Sequence, residues 1–85
     1  MRITIRYFAS LREQLGTASE VVELPAGIAT AGALRSWLAA RGAPFDRALA
    51  PGRAVRAAVA QVMAKPDTPL ADGVEVAFFP PVTGG

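Results

Sequence analysis

The first residues alternate cleanly. In Arg2-Ile3-Thr4-Ile5-Arg6-Tyr7-Phe8, Ile3, Ile5 and Tyr7 share one face while Arg2, Thr4, Arg6 and Phe8 share the other, the period of a half-buried strand. Leu11 and Leu15 stand four apart between Ser10 and Gly16, which predicts a short helix capped by Ser10 and stopped at Gly16. Residues 19–24 read as a second strand closed by Pro25. The main helix begins at Thr30 as N-cap and carries Leu34, Trp37 and Leu38 as its apolar stripe, with Arg41 and Gly42 at its end. Trp37 is expected in the core against the sheet, and Arg12, Glu13, Arg35 and Arg41 as solvated surface charges.

Pro44, Pro51 and Gly52 mark residues 43–54 as loop, with a short helical turn around Asp46 to Leu49. The valine spacing and bounding turn residues make 56–63 a strand. Asp72-Gly73 starts the last strand, Val74 to Phe79, which Pro80-Pro81 ends. The order strand, short helix, strand, helix, strand, strand, tail predicts an α+β fold with one main helix on one face of a mixed sheet. A short first connection gives an antiparallel pair and the helix supplies a crossover, so first and last strands run parallel as neighbours. That arrangement is a β-grasp, with residues 1–79 as the domain and 80–85 as an extended tail.

Alternation also assigns faces. Val74, Val76 and Phe78 point inward, and Glu75, Ala77 and Phe79 outward. With Ala60 and Val62 inward, Gln61 and Met63 face out. Phe8, Phe79 and Met63 are then expected to form an exposed apolar patch near the tail root, a partner-binding surface.

Composition narrows the chemistry. Eighty-five residues suffice for one domain. No apolar run approaches the ~20 residues of a membrane span, and the opening lacks a secretion-signal layout, so a cytoplasmic setting is expected. Nine basic and seven acidic residues are scattered, giving +2, too weak and dispersed a charge for nucleic-acid binding. There is no cysteine and no histidine, hence no thiolate nucleophile and neither the commonest general base nor the commonest metal ligand. No metal site is expected.

The tail Pro80-Pro81-Val82-Thr83-Gly84-Gly85 is stiff at its root and slender at its tip. From Pro81 onward it reaches at most ~17 Å. Without Cβ atoms, Gly84 and Gly85 can thread a channel too narrow for other residues and present an unhindered carboxylate. A carboxylate is a poor electrophile because oxide is a poor leaving group; a mixed anhydride with AMP lets sulfur or nitrogen displace the nucleotide. The chain has no GxxxxGK loop, so a partner enzyme must hold that nucleotide.

The run Ala77-Phe78-Phe79-Pro80-Pro81-Val82-Thr83-Gly84-Gly85, after Leu70-Ala71-Asp72-Gly73-Val74-Glu75-Val76, resembles the C-terminus of the small, sulfur-carrying subunits of molybdopterin synthase, a ubiquitin-like β-grasp family. The opening Tyr7-Phe8-Ala9-Ser10-Leu11-Arg12-Glu13, then Gly16 and Thr17, resembles it too. Ala60 departs from the asparagine that relatives often carry before Gln61, which bears on a local turn. The resemblance implies that an E1-like adenylyltransferase uses ATP and magnesium to adenylate Gly85, that a persulfide donor converts it to a thiocarboxylate, and that the loaded arm gives sulfur to cyclic pyranopterin monophosphate in the large subunit of a heterotetramer. It further implies that the chain itself binds no cofactor and that Phe8, Met63, Phe79, Pro80, Pro81, Val82 and Thr83 meet its partners. Sulfur carriage for thiazole synthesis, a ubiquitin-like protein modifier and a plain interaction module are the competing readings.

Overall fold

The computed structural model describes residues 1–81. Its elements are β1 (Arg2–Tyr7), α1 (Ala9–Leu15), β2 (Ser19–Glu23), α2 (Ala31–Ala39), α3 (Phe45–Ala48), β3 (Arg56–Val59), β4 (Val62–Met63) and β5 (Glu75–Phe79). The strands form one sheet in the order β2-β1-β5-β3-β4. β1 and β5 run parallel, with Ile5 beside Val76 and Tyr7 beside Phe78; the other pairs are antiparallel. This is the expected β-grasp, with first and last strands adjacent at its centre.

The alternating strands do what their pattern requires. Ile3, Ile5 and Tyr7 of β1 and Val76 and Phe78 of β5 are almost fully buried, as are Leu34 and Leu38 of α2. Leu11 and Leu15 of α1, Leu49 and Leu70 complete the same cluster. Each large side chain so buried contributes ~1.5–3 kcal/mol before conformational entropy is subtracted. The Tyr7 and Phe78 rings stack with centroids 6.3 Å apart, and Phe45 meets Tyr7 edge-on at 6.2 Å.

Thr30 caps α2, its hydroxyl accepting from the Ala33 amide at 3.2 Å. Gly16 ends α1 in the left-handed region, φ 74°. Ser10 is not the cap of α1. The chain is still bonded to the sheet at Phe8, whose amide donates to the Phe78 carbonyl at 3.1 Å, and Phe8 is the N-cap with no side-chain bond. Ser10 therefore falls inside the first turn. The expected single strand over 56–63 is a hairpin instead: Ala60 and Gln61 both take positive φ, 51° and 67°, and fold β4 back on β3. Two successive left-handed residues make the turn whose twist suits a two-residue hairpin, but alanine and glutamine lack the asparagine–glycine signature that announces it. The turn expected around Asp46 to Leu49 is present as α3, one residue earlier.

Two arginines and one tryptophan correct the surface reading. Trp37 is half-buried at the rim of the core, and the Arg41 guanidinium lies 5.2 Å from its ring centre and 5.0 Å from that of Phe45. Arg41 also pairs with Glu20 at 2.9 Å, and the Glu20 carboxylate accepts from the Tyr7 hydroxyl at 2.8 Å. Half-buried Arg35 donates to the carbonyls of Leu49, Ala50 and Arg53, pinning a segment that lacks ladder partners of its own. Burial lowers its pKa from the ordinary arginine value. Arg12 and Glu13 are exposed, as expected.

The segment before β5 crosses the start of α2. The Gly32 amide donates to the Pro66 carbonyl at 2.8 Å and that of Ala31 to Thr68 at 2.9 Å. A Cβ on Gly32 would meet the Pro66 oxygen at 2.9 Å, whereas one on Gly52 would meet nothing within 4 Å. Gly32→Ala should therefore lose ~1–3 kcal/mol in urea unfolding, with Gly52→Ala within ~0.5 kcal/mol of the parent. Equal stability of the two variants would contradict this crossing.

Burial, then the hydrogen bond and charge of Glu20, push the Tyr7 phenol well above its usual pKa. The native state thus holds this proton after the unfolded chain releases it. The associated stability is complete below pH ~10 and fades as pH rises above that, toward the raised folded value. Tyr7→Phe should lose ~1 kcal/mol at neutral pH yet decline less steeply above pH ~10. Urea melts across that range would show it, as would late ionisation of the chain's single tyrosine by ultraviolet absorbance.

Candidate functional site: the tail root and the open sheet face

All three helices leave one sheet face uncovered, and register assigns its rows. Arg6, Ala77, Ala58 and Met63 lie in line across β1, β5, β3 and β4. Arg56 pairs with Phe79 in the neighbouring row, and the Phe8–Phe78 amide bond sets Phe8 beside Phe79 on the other flank. Side chains paired across strands share a face, so Phe8, Phe79, Ala77, Ala58 and Met63 present one apolar band. Phe8 is 45% exposed and Met63 57%; Phe79 is half-buried. The band is broader than a single cluster: Met63 lies two strands from Phe79, with alanines between. Val62 does not face the core but is 68% exposed, because β4 is the sheet edge and its inner face extends past the helices.

Charges frame the band. Arg6 pairs with Glu75 at 3.4 Å and Arg2 with Glu23 at 2.9 Å; Arg2, Arg6 and Glu23 are exposed and Glu75 is half-buried. Pairs this exposed orient side chains more than they stabilise them. Val21, 63% exposed, continues the open face beside Thr4.

β5 ends at Phe79 and delivers the chain to Pro80 and Pro81, both half-buried and outside any strand. Neither proline has an amide proton to extend the ladder. Pro81 lines a shallow depression with Arg53, Ala54, Val55 and Arg56. Arg53 and Arg56 are three apart in the chain, and the β3–β5 pairing sets them beside the tail root. Val82, Thr83, Gly84 and Gly85 lie outside the described residues.

The described residues offer little chemistry of their own. They contain no group of three potential metal-ligating side chains. A cavity of about 150 Å³ between α2 and the β3–β4 hairpin, lined by Gly32, Ala57, Pro66 and Phe78 among others, is smaller than the ~300–1,000 Å³ of usual small-molecule sites. No helix among them is long and apolar enough to cross a membrane.

Residues 5–85, nearly the whole chain and the entire tail, match the model of the ThiS family. The chain belongs to the ThiS family. It is 46% identical over 83 residues to the molybdopterin synthase sulfur carrier subunit of Escherichia coli K12, covering 98% of this chain and 99% of that protein. The corresponding subunit of Haemophilus influenzae Rd is 36% identical over the same shares. Among solved structures, SAMP1 of Haloferax volcanii superposes with a TM-score of 0.76 at 26% identity, covering all of both chains. ThiS-family membership agrees with the β-grasp body described above.

The face assignment has a direct test. Phe78→Ala should lose ~3–5 kcal/mol, as a buried aromatic does. Phe79→Arg, one residue on but outward, should stay within ~1 kcal/mol of the parent. Comparable losses in chemical denaturation would reverse the assignment.

Proposed function

We propose that this chain is the sulfur carrier subunit of a molybdopterin synthase and that sulfur travels on the carboxyl group of Gly85. The observation that carries this reading is the full-length 46% identity to the Escherichia coli sulfur carrier subunit, with the family match running through Gly85. It favours this pathway over thiazole synthesis.

In the proposed cycle, an E1-like adenylyltransferase with ATP and magnesium joins AMP to Gly85 and releases pyrophosphate. A persulfide attacks the acyl carbonyl and expels AMP. A thiol then cleaves the resulting acyl disulfide, leaving the thiocarboxylate. The sulfur is soft, polarizable and ionised at neutral pH, a better nucleophile than the carboxylate oxygen. The large subunit supplies the pocket and acid–base groups in which it is given to cyclic pyranopterin monophosphate. This chain contributes the arm and a docking face, acting in the cytoplasm as a carrier and co-substrate. Phe8, Phe79 and Met63, with Pro80, Pro81, Val82 and Thr83, seat it on its partners, and Gly84-Gly85 is the part on which they act.

Incubation with ATP, the host's adenylyltransferase and a persulfide source should produce an oxygen-to-sulfur mass change that peptide mass spectrometry places on Gly85. Gly84→Trp should abolish the change while leaving the melting temperature unaltered. Phe79→Arg should weaken binding to the large subunit at least tenfold, because an unpaired charge is costly in an apolar contact. An unmodified Gly85, beside an adenylyltransferase active on its own carrier, would refute the carrier reading. The likeness to SAMP1, whose name denotes a small archaeal modifier protein, favours a second reading: attachment of the same glycine to protein lysines. Isopeptide conjugates in lysate would support it.

A further inference from the structure

Arg53 and Arg56 occupy an unusual place. Both are exposed, both line the depression that holds Pro81, and Arg56 is paired in register with Phe79 at the edge of the apolar band. Neither forms an ion pair among the described residues, where the bridges involve Met1, Arg2, Arg6 and Arg41. The single acid of β5, Glu75, is engaged by Arg6. Lys65, close to Arg56 around the neighbouring cavity, adds a third cation on that side.

The Arg53 backbone is also held in place. Half-buried Arg35 donates to its carbonyl at 2.9 Å and to that of Leu49 at 2.9 Å, so the loop presenting Arg53 is tied to α2. Like charges kept together on an anchored loop and a strand repel one another, and an opposing acidic surface would relieve that repulsion.

We propose that Arg53 and Arg56 form a cationic collar at the root of the tail, which docks on an acidic protein surface of the large subunit beside the opening that admits the tail. This rests on the carrier reading above and adds a second contact to it. The apolar band supplies the contact that excludes water, and the collar supplies orientation. Charge at the base of the arm would align the tip with the opening before the short tail enters, speeding productive encounter rather than merely tightening the complex. A tail of a few residues leaves little room for error in that alignment.

The test uses the full-length chain and the large subunit from the same organism. Association kinetics and Kd would be measured from low to high salt for the parent, Arg53→Ala/Arg56→Ala and Arg53→Glu/Arg56→Glu. Circular dichroism would establish that each variant is folded. The collar predicts that association of the parent slows with salt, that the alanine pair associates at least tenfold more slowly at low salt with a flatter salt dependence, and that the reversed pair is slower still. Arg12→Ala, on α1, should behave as the parent. Parent-like rates and salt dependence in the alanine pair would overturn the collar while leaving the carrier reading intact. A parent chain that fails to bind the large subunit would overturn both.

Discussion

The parallel pairing of β1 with β5 is the constraint on which the rest depends. It joins strands from opposite ends of the chain, with Thr4 beside Glu75 and Tyr7 beside Phe78. A parallel pair cannot be closed by a tight turn, so the two strands meet only across a long connection that contains every intervening element. The pairing buries Ile5 and Val76 beneath α2 on one face and aligns Phe8 with Phe79 on the other. It also decides where the tail leaves: from the centre of the sheet, not from a fraying edge. The arm is thereby anchored to the most deeply buried part of the domain.

A domain of this size has few apolar residues to spare, and the long connection from α2 to β3 is poor in regular structure. Two arginines compensate. Arg35 satisfies three carbonyls that have no ladder, and Arg41 ties β2 to α2 and α3 through Glu20, Trp37 and Phe45. The planar guanidinium suits both tasks, as a fork of donors against carbonyls and as a face against rings. Lysine, a compact point charge, could perform neither as well. The polar contacts are mutually satisfying: no buried side-chain nitrogen or oxygen among the described residues lacks a partner.

What was legible in the sequence was what obeys a period. Ile3, Ile5, Tyr7, Val76 and Phe78 follow strand alternation, and Leu34 and Leu38 follow helical spacing, so sheet, helix and their order could be read directly. The hairpin at Ala60-Gln61 could not, because its signal is a backbone conformation that these two residues do not advertise. Nor could the roles of Arg35 and Arg41, since a charged residue on a helix reads as solvated until the fold places carbonyls and rings against it. The candidate site divides the same way. Its outward face follows from parity, and the Gly84-Gly85 tip from residue type. The gathering of Arg53 and Arg56 beside Pro81 depends on antiparallel register between β3 and β5, which no local pattern encodes.

In the proposed cycle, a carrier loaded by one enzyme and unloaded by another would face opposing demands. It must be recognised specifically at each stop and must then leave, which argues against a large, wholly apolar interface. The open face meets this with large side chains at its margins, Phe8, Phe79 and Met63, around the small Ala58 and Ala77. A partner would gain anchors without a continuous greasy surface on the free protein. Because the tail root adjoins this same face, the proposed cycle would have its two partners use the face in turn. Rigidity serves that alternation. Phe79, Ala77 and Ala58 sit on strands whose reverse sides pack against the core, which holds this part of the face in one arrangement. The chain has neither cysteine nor histidine, so the proposed cycle would draw its thiol and imidazole chemistry from the partner enzymes.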